Sequence, residues 1–135
     1  MHCNLLTLWG ALLLSAGVLQ AYEIVAPAAP TPAEQTAIRE LHHYLEQVVS
    51  TDLYVDGAPA VFFVGDTAEA REAGLGPERF EDEEWQVHSI GSDVFLVGGG
   101  RRGALYATAH FLEDVLGVHW WDSFEEYVPK ATEIR

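Results

Sequence analysis

The chain has 135 residues, which is room for one domain but not for one domain plus a catalytic barrel of roughly 250 residues. With 49% hydrophobic and 21% charged residues, the composition excludes a disordered tail and a membrane bundle. The balance of 21 Asp and Glu against 7 Lys and Arg gives a net charge of −14, which argues against nucleic acid and anionic lipid as partners, since both repel such a surface.

Residues 1–21 contain no Asp, Glu, Lys or Arg. The run Leu5-Leu6-Thr7-Leu8-Trp9-Gly10-Ala11-Leu12-Leu13-Leu14 has the length of a signal-peptide core, and it falls short of the roughly 20 residues that span a bilayer. Small residues follow, and Leu19-Gln20-Ala21 offers a cleavage site. The alternative is a buried N-terminal helix. Residues 1–21 are read as a signal peptide and the protein as exported, periplasmic or extracellular. Cleavage removes Cys3, the one cysteine, so no internal disulfide and no thiolate zinc site is expected.

In the mature part, residues 22–135, Tyr22 to Ala26 reads as a short strand, broken by Pro27-Ala28-Ala29-Pro30. Thr31, Pro32 and Glu34 spell a helix start: an N-cap, a proline at the first helical position and the glutamate of a capping box. Ile38, Leu41, Leu45, Val48 and Val49 recur at helical spacing and predict a core face. Two strand candidates follow, Leu53 to Val55 and Ala60 to Val64, separated by Asp56-Gly57-Ala58-Pro59. The second is apolar throughout, as in a strand covered on both faces. Thr67 to Glu72 reads as a short helix ended by Gly74 and Gly76, and Phe80 to Glu84 as an acidic loop. Trp85 to Ile90 alternates apolar and polar residues, and Gly91-Ser92 turns it into Val94 to Val97, which predicts an antiparallel hairpin. Gly98-Gly99-Gly100 leads into a second helix carrying Leu105, Phe111, Leu112, Val115 and Leu116 and stopped by Gly117. Val118 to Trp121 reads as a last short strand, and Asp122 to Arg135 shows no clear periodicity. The fold class is α+β, with two substantial helices.

Gly98-Gly99-Gly100-Arg101-Arg102-Gly103 satisfies G-x-G-x-x-G, with Asp122 about 20 residues on. A dinucleotide site needs parallel flanking strands and further α/β units, whereas the strand before this turn reads as a hairpin arm. The plainer reading is a tight strand-to-helix turn, with Gly103 permitting close helix–sheet packing. Arg101 and Arg102 at that helix start are candidate contacts for a carboxylate of an adjoining domain. The histidines form no HxH or HExxH pattern, Glu81-Asp82-Glu83-Glu84 lacks the spacing of a calcium loop, and no metal or cofactor is expected. Asp122, Glu125 and Glu126 invite a glycosidase reading, but acids at such spacing in a loop are common. Trp120 and Trp121 are neighbours in a strand and so point to opposite faces: one enters the core, the other meets a sugar or an adjoining domain. No complete catalytic constellation is present.

Several segments resemble a known family in order and spacing. Ala33 to Val55, Gly98 to Ala107, His110-Phe111-Leu112-Glu113, Leu116 to Trp121 and Glu125-Glu126-Tyr127-Val128-Pro129-Lys130 look like the N-terminal domains of glycoside hydrolases of the α-glucuronidase and β-hexosaminidase type. The resemblance covers essentially all of residues 22–135. It implies a mixed β-sheet with two main helices packed on one face, the β-hexosaminidase domain-2-like arrangement. It also implies a non-catalytic accessory domain ahead of a (β/α)8 barrel, with the catalytic carboxylates in the barrel. None of the family's catalytic residues carries over to this sequence, and no hydrolysis by this chain alone is expected. The alternative is a free-standing secreted glycan- or protein-binding module that uses Trp120 or Trp121.

Overall fold

A computed structural model describes residues 22–134; the predicted signal peptide lies outside them. The strands are β1 (Tyr22–Val25), β2 (Val49–Val55), β3 (Ala58–Val64), β4 (Trp85–Ile90), β5 (Asp93–Gly98), β6 (His119–Trp120), β7 (Glu126–Tyr127) and β8 (Ala131–Ile134). The helices are α1 (Pro32–Val48), α2 (Ala68–Glu72) and α3 (Gly103–His110), the last continued by a π-helical turn at Phe111–Val115.

The capping box forms as expected. The Thr31 side chain accepts from the Glu34 N–H at 3.2 Å, and Glu34 Oε2 accepts from the Thr31 N–H at 2.8 Å. Pro32 has no N–H to satisfy, and the box satisfies two of the three orphan N–H groups that remain at this helix start. At its other end α1 has no glycine stop. Val48 is the last helical residue and Val49 the first of β2, so the strand begins four residues earlier than the Leu53 start expected from sequence. The break before β3 is also shorter than expected. Asp56 and Gly57 alone make the turn, with φ of 51° and 75°. Asp-Gly is a preferred pair for a two-residue hairpin with both central φ values positive. Ala58 and Pro59 therefore belong to β3, where Pro59 sits near the strand start, a position that tolerates it.

The main sheet runs β4-β5-β3-β2-β8. β4 and β5 form the expected antiparallel hairpin, while β5 lies parallel to β3, and β1 also lies parallel to β3. β1 and β2 share one edge of β3: β2 pairs with Ala58 and Pro59, β1 with Ala60 to Phe63. The sheet is therefore mixed, and both of its faces are used. Ala60, Phe62 and Val64 of β3 and Val94 and Leu96 of β5 join Leu41, Leu45 and Val48 of α1 and Ala107, Phe111 and Leu112 from α3 and its π turn in one core. On the other face Phe63, Phe95 and Val97 meet Ala70 of α2 and Leu75 in a smaller cluster. This explains the unbroken apolar run of β3, and it puts the two main helices on the same face.

The last stretch departs from expectation. Asp122 to Arg135 carries no visible periodicity, yet it contains β7, which pairs antiparallel with β6, and β8, which pairs parallel with β2. Two-residue strands are too short to show alternation, and β8 is an edge strand. The second helix, expected to run unbroken to Gly117, widens at Phe111, where the Leu116 N–H reaches the Phe111 carbonyl at 3.0 Å, five residues back.

Candidate functional site

Neither tryptophan enters the core as expected from sequence: Trp120 is 39% and Trp121 68% exposed. Trp120, in β6, turns toward α1. Its indole N–H donates to the Tyr44 hydroxyl at 2.6 Å, and that hydroxyl donates to Glu126 Oε2 on β7 at 2.7 Å. The Tyr44 and Trp120 rings meet edge to face, with centroids 5.4 Å apart. Tyr44 is only 6% exposed, so one buried hydroxyl ties both strands of the β6–β7 hairpin to the helix. Burial pushes the Tyr44 phenol above its ordinary value of 10.0; the bond from Trp120 pulls it back, and the Glu126 carboxylate adds to the rise. Beside this strut Trp120 helps line an apolar cavity of about 60 Å³ with Tyr44, Leu105 and Leu112.

Trp121 lies on the opposite side and is 68% exposed. The turn that follows is built by Asp122, whose Oδ1 accepts from the N–H groups of Phe124 at 2.6 Å and Glu125 at 2.8 Å. The Trp121 N–H closes the loop onto the Glu125 carbonyl at 3.0 Å. This turn leaves Phe124 95% exposed and Tyr127 51% exposed, with the Trp121 and Tyr127 ring centroids 6.5 Å apart. Three exposed rings thus lie along the hairpin, two of them near one another, and the ribbon is tied to α1 through Tyr44. Asp122, Glu125 and Glu126 lie along the same hairpin but play different parts. Asp122 caps the turn and Glu126 joins the strut, while Glu125 is exposed.

Arg101 and Arg102 sit elsewhere, in the turn between β5 and α3, and the structure does not bring them to the tryptophans. Arg102 pairs with Glu83 at 2.7 Å, and its guanidinium lies 5.9 Å from the Tyr106 ring centroid. Arg101 edges a crevice of about 330 Å³ at the C-terminal ends of β1, β3 and β5, lined also by Ala28, Thr31, Glu34, Gly65 and Gly98. Parallel strand ends with helix N-termini are where α/β proteins hold anions. Here the protein supplies the anion itself: besides its bond to Thr31, Glu34 accepts from the Asp66 N–H at 2.9 Å. A Cβ at Gly65 would come within 2.7 Å of that carboxyl carbon. The glycine fingerprint also lacks its βαβ context, because β6, the strand after α3, leaves the main sheet and pairs only with β7. The glycines serve packing. A Cβ on Gly103 would lie 2.6 Å from both the Gly98 carbonyl carbon and the Glu84 carbonyl oxygen.

Two features depend on partners that no local spacing reveals. Tyr44 falls on the apolar stripe of α1, three residues after Leu41; a phenol there signals a hydroxyl in need of a partner, but the partners lie 76 and 82 positions away. His110 stacks on Trp85 with centroids 4.0 Å apart and planes 10° from parallel, and its Nδ1 is 3.0 Å from Asp114 Oδ2. That i,i+4 pair straddles the start of the π turn. Among the described residues no group of three or more His, Cys, Asp or Glu is placed to hold a metal ion, and no helix is long and apolar enough to cross a membrane. No protein-family model, curated protein or solved structure matches the chain.

Proposed function

We propose that this chain is the non-catalytic N-terminal accessory domain of an exported glycoside hydrolase. In this reading a (β/α)8 barrel C-terminal to it carries out hydrolysis, and the domain shapes access to the glycan. The observation that carries the reading is the β6–β7 hairpin, whose Trp121, Phe124 and Tyr127 are 68%, 95% and 51% exposed on a ribbon tied down through Tyr44. Exposed rings held rigid are a contact surface, because they offer large area at little cost in conformational freedom. The segments on which the family resemblance rests include α1 and β2 as well as the stretch from the glycine turn through α3 to this hairpin. The α+β architecture agrees with the domain-2-like arrangement in its coarse class, a mixed sheet with the two main helices sharing one core.

The test is turnover by the purified chain of aryl glycosides of glucuronic acid and of N-acetylglucosamine. No hydrolysis above the buffer rate is expected, and measurable turnover would overturn the non-catalytic assignment. A second reading, a free-standing secreted binding module, draws on the same exposed rings. Sedimentation separates the two. A detached accessory domain associates through its bared contact surface, whereas a free-standing module stays monomeric across the concentration range.

A further inference from the structure

We propose that Asp56 is a site of spontaneous covalent modification: its carboxyl closes onto the Gly57 backbone nitrogen as a cyclic imide, which water reopens to isoaspartate. The inference stands independently of the proposed function. In the first step the Gly57 nitrogen attacks Asp56 Cγ. A Cγ–N bond forms, the Cγ–OH bond breaks, and the hydroxyl leaves with the amide proton as water. In the second step water adds to one of the two imide carbonyls. Addition at Cγ restores aspartate. Addition at the Asp56 main-chain carbonyl breaks its bond to the Gly57 nitrogen, so that the chain then runs through the side-chain carbons. Water is the one co-reactant, and nothing is oxidised or reduced.

The reacting groups are unshielded. Gly57 has no side chain, and a Cβ there would meet nothing within 4 Å. Both residues are exposed, and among the described residues neither the Asp56 carboxyl nor the Gly57 N–H is held by a hydrogen bond or ion pair. The turn is also lightly closed. β2 pairs with β3 only at Tyr54 with Pro59 and Val55 with Ala58, and Pro59 has no N–H to give to the ladder. Asp56 holds a φ of 51°, a left-handed conformation that costs an L-residue free energy. Local opening therefore breaks few bonds and releases that strain while the carboxyl swings onto the Gly57 nitrogen. The other aspartates lack this combination, because Asp56 alone is followed by glycine. Asp122, followed by the small Ser123, is tied to the N–H groups of Phe124 and Glu125. Asp66 is paired with Arg71 at 2.6 Å and followed by the β-branched Thr67. Isoaspartate adds a methylene to the main chain, which a two-residue turn does not accommodate. The end of β2, where Tyr54 and Val55 also pair with Glu133 and Ile134 of β8, is expected to loosen.

The experiment holds the full chain for weeks at neutral pH in water enriched in heavy oxygen, folded in one sample and unfolded in urea in another. Peptide mapping with electron-transfer fragmentation then locates isoaspartate and the heavy oxygen. In the folded chain isoaspartate is expected at position 56 at a rate within about tenfold of the unfolded chain, and at least about tenfold faster than at Asp122. Asp56→Glu, whose longer side chain closes the larger imide ring far more slowly, is expected to abolish the signal. Asp56→Asn, which keeps a residue suited to the turn, is expected to raise it with release of ammonia. Circular dichroism checks that both variants keep the fold. The isolated isoaspartate form is expected to have a lower urea midpoint than the parent. Isoaspartate at position 56 in the unfolded chain alone overturns the proposal, since the folded turn then shields the site. Equal rates at Asp56 and Asp122 overturn the selectivity, and isoaspartate without heavy oxygen overturns the imide route. An unchanged urea midpoint overturns the loosening of β2.

Discussion

Tyr44 puts two hydrogen bonds on one buried hydroxyl, accepting from Trp120 and donating to Glu126. Removing that oxygen leaves the ring packed and strands the indole N–H on the part-buried side of the hairpin. A lost bond with one partner left unsatisfied costs about 1–3 kcal/mol. Tyr44→Phe is expected to lower stability in urea by about 1–2 kcal/mol and to shift the Trp120 indole proton in an NMR spectrum more than those of the other tryptophans. The same residue sets an alkaline limit. Burial raises the phenols of both Tyr44 and Tyr22 above 10.0, so the folded state holds their protons more tightly than the unfolded chain does. The stability this contributes is fully present below pH about 10 and is lost as pH rises through the folded-state values. Urea midpoints measured from neutral to alkaline pH are expected to fall above about 10 in the parent and to fall less steeply in Tyr44→Phe.

At the scale of elements, the turn from β5 into α3 depends on closeness of backbones. A methyl on Gly103 would enter van der Waals space of the Gly98 carbonyl carbon and the Glu84 carbonyl oxygen, and neither is the end of a flexible side chain. Gly103→Ala is expected to cost about 1–3 kcal/mol, as overpacking does, even though alanine is the better helix former. An unchanged urea midpoint would contradict this close approach. Phe111, 1% exposed and edge to face with Phe62 at 5.3 Å, joins α3 to the sheet, and Phe111→Ala is expected to cost about 3–5 kcal/mol. A loss under about 1 kcal/mol would displace the helix from the core. Elements with local signatures were legible in advance. α1 announced itself through Thr31, Pro32 and Glu34, and the β4–β5 hairpin through its alternation around Gly91-Ser92. What stayed hidden lacks a local signature. β2 follows α1 without a breaker at Val48-Val49, the π turn has no sequence period of its own, and β7 and β8 are held by pairing with β6 and β2 rather than by their own pattern.

At the scale of the whole molecule, the candidate site was half legible. Gly103 is legible as a packing glycine, whereas strand alternation sends one of Trp120 and Trp121 into the core and the structure leaves both exposed. Which tryptophan turns toward α1 depends on Tyr44, and the role of Phe124 depends on the Asp122 turn; neither leaves a spacing signal. The fingerprint Gly98 to Gly103 shows the reverse: a strong local pattern emptied of its usual meaning by topology, since β6 leaves the sheet and Glu34 places a side-chain carboxylate on the wall of the crevice. Among the described residues the most exposed large apolar side chains, Trp121 and Phe124, lie on the β6–β7 hairpin and its turn. The central claim is that this surface serves a hydrolytic barrel encoded downstream. The direct measurement is the sequence of the gene past codon 135. The account predicts an open frame continuing for some 250 residues or more, the length of a (β/α)8 barrel. A stop codon directly after Arg135 would contradict it.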